Sequence, residues 1–306
     1  MLVHPSPLNQ PLPRPRAVSP EPAPAAPERP KSIGQRLRAV RPLTDAQIEQ
    51  ILLHQRQHGL RFGDAAVELK LASRDEVARA LSQQFDFPYV STEDCALSPE
   101  LVTAVSPFGE QAEVFRELRT RLLLEHLDPP QPRHALAVLS TDVGDGKSYC
   151  AANLAISLSQ MGRRTLLIDA DLRRPRVHQL FGLVNRHGLS AVLAGHQSAA
   201  TALHTVAELP SLELLLAGSV PPNPQELLQR PTFTLLLQEL LERFDHVIVD
   251  TPAASQGADA RLLAAKCGAA LIVGRQGRSR LADLQALAGA MARTATRLTG
   301  VLINQG

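Results

Sequence analysis

Apolar and polar positions along the chain follow three successive patterns. The first 30 residues show neither a helical nor a strand period, and they contain ten prolines interleaved with alanine, serine and arginine. Such a composition cannot bury enough apolar surface to offset the entropy lost on ordering. We therefore interpret residues 1–30 as a disordered leader that acts as a spacer, with a proline-rich docking ligand as the alternative.

The second pattern is helical. Apolar residues recur three and four positions apart, and two capping boxes, Thr44 with Gln47 and Ser73 with Glu76, each mark the start of a helix. A segment of this size lies near the lower limit of length at which a domain can form its own hydrophobic core. These signals predict a small helical domain over residues 31–92.

The third pattern alternates apolar runs with helical stretches over residues 133–306, after a linker at residues 93–132. Six runs are candidate strands: Ala135 to Leu139, Thr165 to Ile168, Leu212 to Leu216, His246 to Val249, Ala269 to Val273 and Gly300 to Ile303. Helices are predicted at Lys147 to Met161, at Asn223 to Phe244 and, in the linker, at Gln111 to His126. Continuous apolar strands that alternate with helices predict an α/β fold, in which helices cover both faces of a mainly parallel sheet.

A glycine-rich turn, Ser140-Thr-Asp-Val-Gly-Asp-Gly-Lys-Ser148, lies between the first strand and the first helix of this region. It matches the phosphate-loop pattern G-x-x-x-x-G-K-[ST] except that Thr141 occupies the first glycine position. Backbone N–H groups in such a turn converge on phosphate oxygens at the positive end of a helix. The candidate nucleotide-binding residues here are Gly144, Asp145, Gly146, Lys147, Ser148 and Tyr149.

Acidic residues follow two of the predicted strands. Asp169 and Asp171 end the second strand, and Asp250 ends the fourth. A lone aspartate after a strand is usually a helix cap or a turn residue. Carboxylates at strand ends beside a phosphate loop can instead hold the metal ion that phosphoryl transfer needs. The loop and the three acids together predict a P-loop NTPase with a site for ATP and Mg²⁺.

Composition excludes other classes of function. The formal net charge is +2, aromatic residues make up 3% of the chain and tryptophan is absent, so neither a dedicated nucleic-acid surface nor a stacking platform is expected. Cys95, Cys150 and Cys267 are scattered without metal-ligand spacing, which favours a reduced compartment. No run of 18 apolar residues occurs. We expect a cytoplasmic protein that binds no nucleic acid and reaches the inner membrane only through a partner.

Five segments of the chain are distinctive sequence motifs. They are Gly146-Lys-Ser148, Ala151-Ala-Asn-Leu-Ala155, Leu166-Leu-Ile-Asp-Ala-Asp-Leu-Arg-Arg-Pro175, Pro221-Pro-Asn-Pro-Gln-Glu-Leu-Leu228 and Phe244-Asp-His-Val-Ile-Val-Asp-Thr-Pro252. Together they resemble the bacterial tyrosine kinases of exopolysaccharide systems. With the helical domain in front, the chain more narrowly resembles the chain-length-determinant tyrosine kinases of exosortase-associated loci. The resemblance implies an ATP-dependent protein-tyrosine kinase that regulates exopolysaccharide chain length, polymerisation or export.

The resemblance also implies catalytic roles. Lys147 and Ser148 would bind phosphate and Mg²⁺, Asp250 would be the Walker B acid, and Asp171 would support the metal. Asp169 would accept the proton of an incoming tyrosine, because a phenol of pKa near 10 is poorly nucleophilic at neutral pH.

Two further features acquire a role through the resemblance. Asn304, at the end of the last predicted strand, would contact adenine, with a plain turn residue as the alternative. The pattern Glu113-x-x-Arg116-x-x-Arg119 puts three charges on one helical face. Without the resemblance, this pattern indicates a solvated helix face with an internal ion pair. The resemblance to the kinase family implies that it makes subunit contacts in a homo-oligomer.

The helical domain carries a resemblance of its own. Its segments Arg61-Phe-Gly-Asp-Ala-Ala-Val-Glu-Leu-Lys-Leu71 and Glu76-Val-Ala-Arg-Ala-Leu-Ser-Gln-Gln84 are similar to the N-terminal domain of type II secretion and pilus ATPases. Some members of that family bind a cyclic dinucleotide, but we favour a protein-docking module. Related kinase systems also imply a separate partner, a membrane-anchored polysaccharide chain-length determinant protein.

One feature departs from the kinase pattern. The only tyrosines are Tyr89 and Tyr149, and no tyrosine cluster precedes Gly306. The acceptor is therefore expected on another protein, or the chain is a Par/Min-type regulatory ATPase that switches without tyrosine phosphorylation. Those ATPases carry an extra lysine at the position of Asp142, so the sequence favours the kinase.

Overall fold

The computed structural model of the chain describes residues 32–85, 96–127 and 133–305. The predicted leader at residues 1–30, the candidate acceptor Tyr89, and Cys95 lie outside the described residues. No helix within the described residues combines the length and the apolar character needed to cross a bilayer.

Four helices occupy residues 32–85: α1 (Ile33–Val40), α2 (Asp45–His58), α3 (Phe62–Glu68) and α4 (Arg74–Phe85). Both predicted capping boxes are present, since the hydroxyls of Thr44 and Ser73 accept from the backbone N–H groups of Gln47 and Glu76 at 3.3 and 3.1 Å. The glutamine and glutamate side chains accept in return from the capping residues. The helices share a small apolar core, formed by Leu37, Leu43, Ile51, Phe62, Ala65, Ala66, Ala72 and Ala80.

A seven-stranded sheet organises residues 133–305. Its strands are β1 (Ala135–Ser140), β2 (Thr165–Asp169), β3 (Leu203–Val206), β4 (Leu209–Leu215), β5 (His246–Asp250), β6 (Gly268–Arg275) and β7 (Arg297–Asn304). The order is β3-β4-β2-β5-β1-β6-β7, and every neighbouring pair is parallel except β3 with β4. The mainly parallel α/β sheet is therefore confirmed.

Helices cover both faces of this sheet. On one face lie α5 (Val102–Val105), α6 (Glu110–Leu122), α7 (Lys147–Ser159) and α8 (Val177–Leu180). On the other lie α9 (Leu189–Leu193), α10 (Ala199–Ala202), α11 (Pro224–Gln229), α12 (Pro231–Arg243), α13 (Asp259–Cys267) and α14 (Leu281–Ala292). Because strand side chains alternate in direction, Leu136 and Val138 enter the first core, whereas Ala137 and Leu139 enter the second. Burial on both faces explains the continuous apolar strands.

Three elements differ from the sequence prediction. Strand β3 was not predicted; it is short, pairs antiparallel at the sheet edge and buries only Val206. The helix predicted at Asn223 to Phe244 is two helices, because Arg230 adopts an extended conformation and Pro231 starts a new helix. The linker helix ends at Leu122 and continues as a π-helix over Leu123–Leu127.

Candidate active site

The glycine-rich turn connects the carboxyl end of β1 to the amino end of α7. Gly144 and Gly146 have φ of +89° and +100°, which only glycine adopts without strain. The buried Asp145 carboxylate accepts hydrogen bonds from Thr141 Oγ1 at 3.1 Å and from the Asp142 backbone N–H at 2.8 Å. Thr141, the residue that departs from the phosphate-loop pattern, therefore helps to hold the turn closed.

The sheet brings Asp169 and Asp250 together. These residues end β2 and β5, and the parallel register places them directly opposite each other. Asp169 is fully buried and accepts three backbone hydrogen bonds, from Asp171 at 3.2 Å, Arg176 at 3.2 Å and Val177 at 3.1 Å. Burial, and then the nearby Asp250 charge, raise the pKa of Asp169 well above its ordinary value, against the effect of the N–H donors.

Asp250 is buried with unsatisfied oxygens. Within the part of the chain that the structure describes, neither carboxylate oxygen has a partner at hydrogen-bond distance. Burial raises the pKa of Asp250 to about 6, even though Lys147 and the Ser148 hydroxyl lie near enough to lower it. Buried carboxylate oxygens without hydrogen-bond donors suit Mg²⁺ or a water bound to Mg²⁺.

A cavity of about 1000 Å³ opens beside the turn. Lys147, Ser148 and Asp171 lie on its wall, together with Tyr149 and Asn304. The wall does not include Asp169 or Asp250, which lie deeper. The cavity is thus accessible to a phosphate-bearing ligand at the loop, while the two buried carboxylates lie behind that surface.

Asp171 differs from its two neighbours in the site. Its Oδ1 accepts from the backbone N–H groups of Arg173 at 3.2 Å and Arg174 at 2.9 Å, which fixes the turn after β2. Asp171 also lies on the cavity wall, unlike Asp169 and Asp250.

Tyr149 and Asn304 occupy defined positions. The Tyr149 ring meets the Phe115 ring edge-on, with centroids 5.6 Å apart, and burial raises the pKa of its hydroxyl. Asn304 Nδ2 donates to the backbone carbonyl of Asp145 at 3.2 Å. Tyr149 thus packs against α6, and Asn304 braces the phosphate loop from the end of β7.

Basic residues around the loop had not been assigned from the sequence. Arg275 donates through Nη1 to the Gly144 carbonyl at 3.2 Å, and the Arg278 guanidinium lies beside Gly144. Arg275 ends β6, so the rule that ligands bind at the carboxyl ends of strands could have indicated it. Arg278 lies in the following loop, where no local pattern marks it.

Two ion pairs flank the same loops. Arg176 Nη2 donates to both carboxylate oxygens of Glu100, at 2.7 and 2.8 Å, and Arg173 Nε donates to the buried Asp259 Oδ2 at 2.5 Å. Because the partners are 76 and 86 positions apart, sequence spacing gave no sign of either pair.

The charged face of α6 is largely engaged within the chain. Arg116 pairs with Glu113 and also donates to the Pro107 carbonyl. Arg119 Nη1 donates to the Ser157 carbonyl of α7 at 2.7 Å. The internal ion pair expected from the spacing is present, and Glu113 remains mostly exposed.

Replacing Gly146 with alanine is expected to weaken ADP binding at least tenfold. The new Cβ would lie 2.3 Å from Asn304 Nδ2, in addition to about 1–2 kcal/mol of backbone strain. Gly162→Ala is the matched control, because Gly162 also has positive φ but no atom within 4 Å of an added Cβ. Calorimetric titration with ADP measures the effect. Wild-type affinity in Gly146→Ala would show that the loop tolerates a side chain there.

Comparison with known proteins identifies the family. The ParA model, described as NUBPL iron-transfer P-loop NTPase, matches residues 131–304, in agreement with the predicted P-loop NTPase fold. Tyrosine-protein kinase YwqD of Bacillus subtilis is 33% identical over 204 residues, which cover 67% of this chain and 85% of YwqD. The chain belongs to the bacterial tyrosine-protein kinase family.

Other bacterial tyrosine-protein kinases show the same relationship. Tyrosine-protein kinase ptk of Acinetobacter johnsonii is 34% identical over 194 residues, which cover 63% of this chain and 26% of ptk. The chain thus matches about a quarter of that longer relative. The kinase domain of Escherichia coli tyrosine kinase ETK superposes with a TM-score of 0.62 at 29% identity, covering 67% of this chain and 79% of that domain. This similarity favours the kinase over the Par/Min-type switch.

Proposed function

We propose that this protein transfers the γ-phosphoryl group of ATP to a tyrosine of another polypeptide. The observation that carries the proposal is the pair of buried carboxylates, Asp169 and Asp250, at adjacent strand ends behind the phosphate loop. Membership of the tyrosine-kinase family supports it. The pair supplies the two groups that the proposed reaction needs, a metal-binding acid and a base.

The residues present suit Mg-ATP. Lys147 would contact the β- and γ-phosphates, Ser148 and Asp250 would hold Mg²⁺ directly or through water, and Asp171 would support it from the cavity wall. Bound Mg²⁺ would neutralise charge on the phosphoryl oxygens. Among the described residues, no group of three or more acidic, histidine or cysteine side chains forms a metal site by itself. Mg²⁺ that arrives with ATP would not need one, because the phosphates and water would supply most of its ligands.

Asp169 is the proposed base. A raised pKa makes its carboxylate a better proton acceptor, and three backbone N–H donors fix its orientation. The tyrosine oxygen would bond to the γ-phosphorus as the bond to the β-γ bridging oxygen breaks, ADP would leave, and Asp169 would take the phenolic proton. Because Asp169 is fully buried, we propose that the segment from Asp171 to Arg176, which donates two of these three hydrogen bonds, moves to admit the phenol while the Val177 N–H stays in place.

The proposed acceptor belongs to a partner. Tyr149 is packed against Phe115, and a raised pKa disfavours its ionised form. We propose a membrane-anchored polysaccharide chain-length determinant protein as the acceptor, at the cytoplasmic face of the inner membrane. Phosphorylation there would regulate the polymerisation or export of an extracellular polysaccharide.

The direct test incubates the full chain and its membrane partner with γ-labelled ATP and Mg²⁺, with the Lys147→Met variant as the blank. We expect label on tyrosine of the partner, detected by phosphoamino-acid analysis. ATP hydrolysis that depends on Lys147 but leaves no phosphotyrosine on any polypeptide would instead favour the regulatory switch.

Subunit contacts through α6 are a separate proposal. Replacing Arg116 and Arg119 with alanine is expected to convert a wild-type oligomer to a monomer in equilibrium sedimentation, because Glu113 and both arginines lie on one face. Arg121→Ala is the matched control, since Arg121 lies on the same helix and pairs only loosely with Glu125 at 3.5 Å. A wild-type protein that sediments as a monomer would remove the proposal.

A further inference from the structure

A second cavity, of about 870 Å³, lies outside the nucleotide site. Its walls come from the loop that follows β4, which carries the Pro221-Pro-Asn-Pro224 motif, and from the segment around α9. The nucleotide site makes no use of that motif. We call this cavity the basic groove and define it by Arg186, His187, His196, Arg230, Val220 and Pro222.

The basic groove lies at the same edge of the sheet as the phosphate loop. Backbone N–H groups of Leu189 and Ser190 donate to the Leu216 and Ala217 carbonyls at 2.7 and 2.9 Å, which fixes α9 to the chain leaving β4. Strand β4 is the parallel neighbour of β2, whose carboxyl end carries Asp169. The groove therefore lies beyond the carboxyl end of the strand next to the one that carries the proposed base.

The lining of the groove is rich in basic residues. Arg186, His187, His196 and Arg230 contribute to it, and no aspartate or glutamate among the described residues does. Arg230 Nη1 lies 3.5 Å from the Leu193 carbonyl, and neither arginine forms an ion pair within the described part of the chain. Two permanently charged guanidinium groups without carboxylate partners attract an anionic ligand.

Apolar groups complete the walls. Val220 is 59% exposed and precedes the two prolines, which have a fixed backbone and no N–H donors. A lining of cations beside rigid apolar surface suits a polypeptide that carries acidic residues among apolar ones better than it suits a fully hydrated polyanion.

We infer that the basic groove binds acidic residues that flank the acceptor tyrosine of the substrate polypeptide. This inference rests on the proposed kinase function, because it places the tyrosine at Asp169. An extended chain rises about 3.3 Å per residue, so acids within a few positions of the tyrosine could reach from one strand end to a loop beyond the next. Arg186 and Arg230 therefore act in substrate selection, apart from nucleotide binding.

The test uses two fluorescein-labelled peptides of equal length, each with one central tyrosine flanked by glutamates or by lysines. Fluorescence anisotropy with the full chain measures binding without any phosphoryl transfer. We expect the glutamate peptide to bind, and Arg186→Glu with Arg230→Glu to weaken it at least tenfold. Arg163→Glu with Arg164→Glu is the matched control, because it makes the same charge change on exposed residues at the amino end of β2 and should have little effect.

Phosphorylation of the same peptides provides the second readout. In the groove variant, kcat/KM for the glutamate peptide should fall at least tenfold, that for the lysine peptide should rise, and ATP hydrolysis without peptide should not change. Equal binding of both peptides by wild type, or equal loss in both double variants, would overturn the inference. The inference would also be overturned if wild type bound polygalacturonate through Arg186 and Arg230 but did not bind the glutamate peptide. Charge-dependent binding with no phosphotyrosine on either peptide would overturn the proposed kinase function and leave the groove as an acidic-peptide site.

Discussion

Replacing Lys147 with methionine is expected to lower both ATP hydrolysis and tyrosine phosphorylation by at least about a hundredfold. Lys147 starts α7, is 6% exposed and lies on the wall of the cavity beside Ser148. Methionine keeps a similar volume but removes the ammonium group that would contact the β- and γ-phosphates. The loss should therefore arise from nucleotide contacts. Steady-state release of phosphate and detection of phosphotyrosine measure the two activities.

Thermal unfolding separates this effect from misfolding. A ligand at a hundred times its dissociation constant stabilises the folded state by about 2.7 kcal/mol. Mg-ADP should therefore raise the wild-type melting temperature, whereas Lys147→Met should melt cooperatively without this increase. Lys70→Met is the control, because Lys70 is exposed in the turn that follows α3, outside the candidate active site. Undiminished hydrolysis in purified Lys147→Met would contradict the proposed site.

The central part of the fold could be predicted because burial on both faces imposes a simple pattern. The inner strands are unbroken apolar runs, and β5 is buried at every position. The edge strand β3 lacks that pattern, because a strand covered on one side needs fewer apolar residues. The spacing of apolar residues continues across Pro231, so it predicts one helix. The proline forces Arg230 out of the helical conformation, and the backbone of the structure shows this break.

The candidate site divides in the same way. The strand-end acids could be placed together because parallel strands end at one edge, and the register then brings Asp169 opposite Asp250. Contacts between distant segments could not be predicted. The Glu100–Arg176 pair joins the segment before α5 to the loop after β2, and charge alone does not specify which of 32 basic residues meets a given acid. Thr141 is a third case. It departs from the phosphate-loop pattern, and only its hydrogen bond to Asp145 explains why a threonine stands there.

Asp250→Asn is expected to stabilise the nucleotide-free protein while it lowers kinase activity by at least about a hundredfold. Neither carboxylate oxygen has a partner at hydrogen-bond distance among the described residues, and burial outweighs the attraction of Lys147, the Ser148 hydroxyl and the Thr251 N–H. A pKa that burial raises from 3.8 to about 6 corresponds to a cost of about 3 kcal/mol for the ionised form. Removing that charge should increase the free energy of unfolding by about 1–3 kcal/mol at pH 7.5.

The sign of the pH dependence identifies the cause of this gain. Asp250 has a raised pKa in the folded protein, so its destabilising charge is fully present above about pH 6 and is lost as the carboxyl protonates between pH 6 and 4. The advantage of Asp250→Asn in urea unfolding should therefore vanish near pH 4. Asp259→Asn is the control, and it should lower the free energy of unfolding. Asp259 is also buried, but it accepts a hydrogen bond from Arg173 Nε at 2.5 Å, and losing its charge leaves that arginine without an ion-pair partner. If Asp250→Asn were also less stable than wild type at pH 7.5, the Asp250 carboxylate would be satisfied within the protein. It would then not be a site that a nucleotide-bound cation completes.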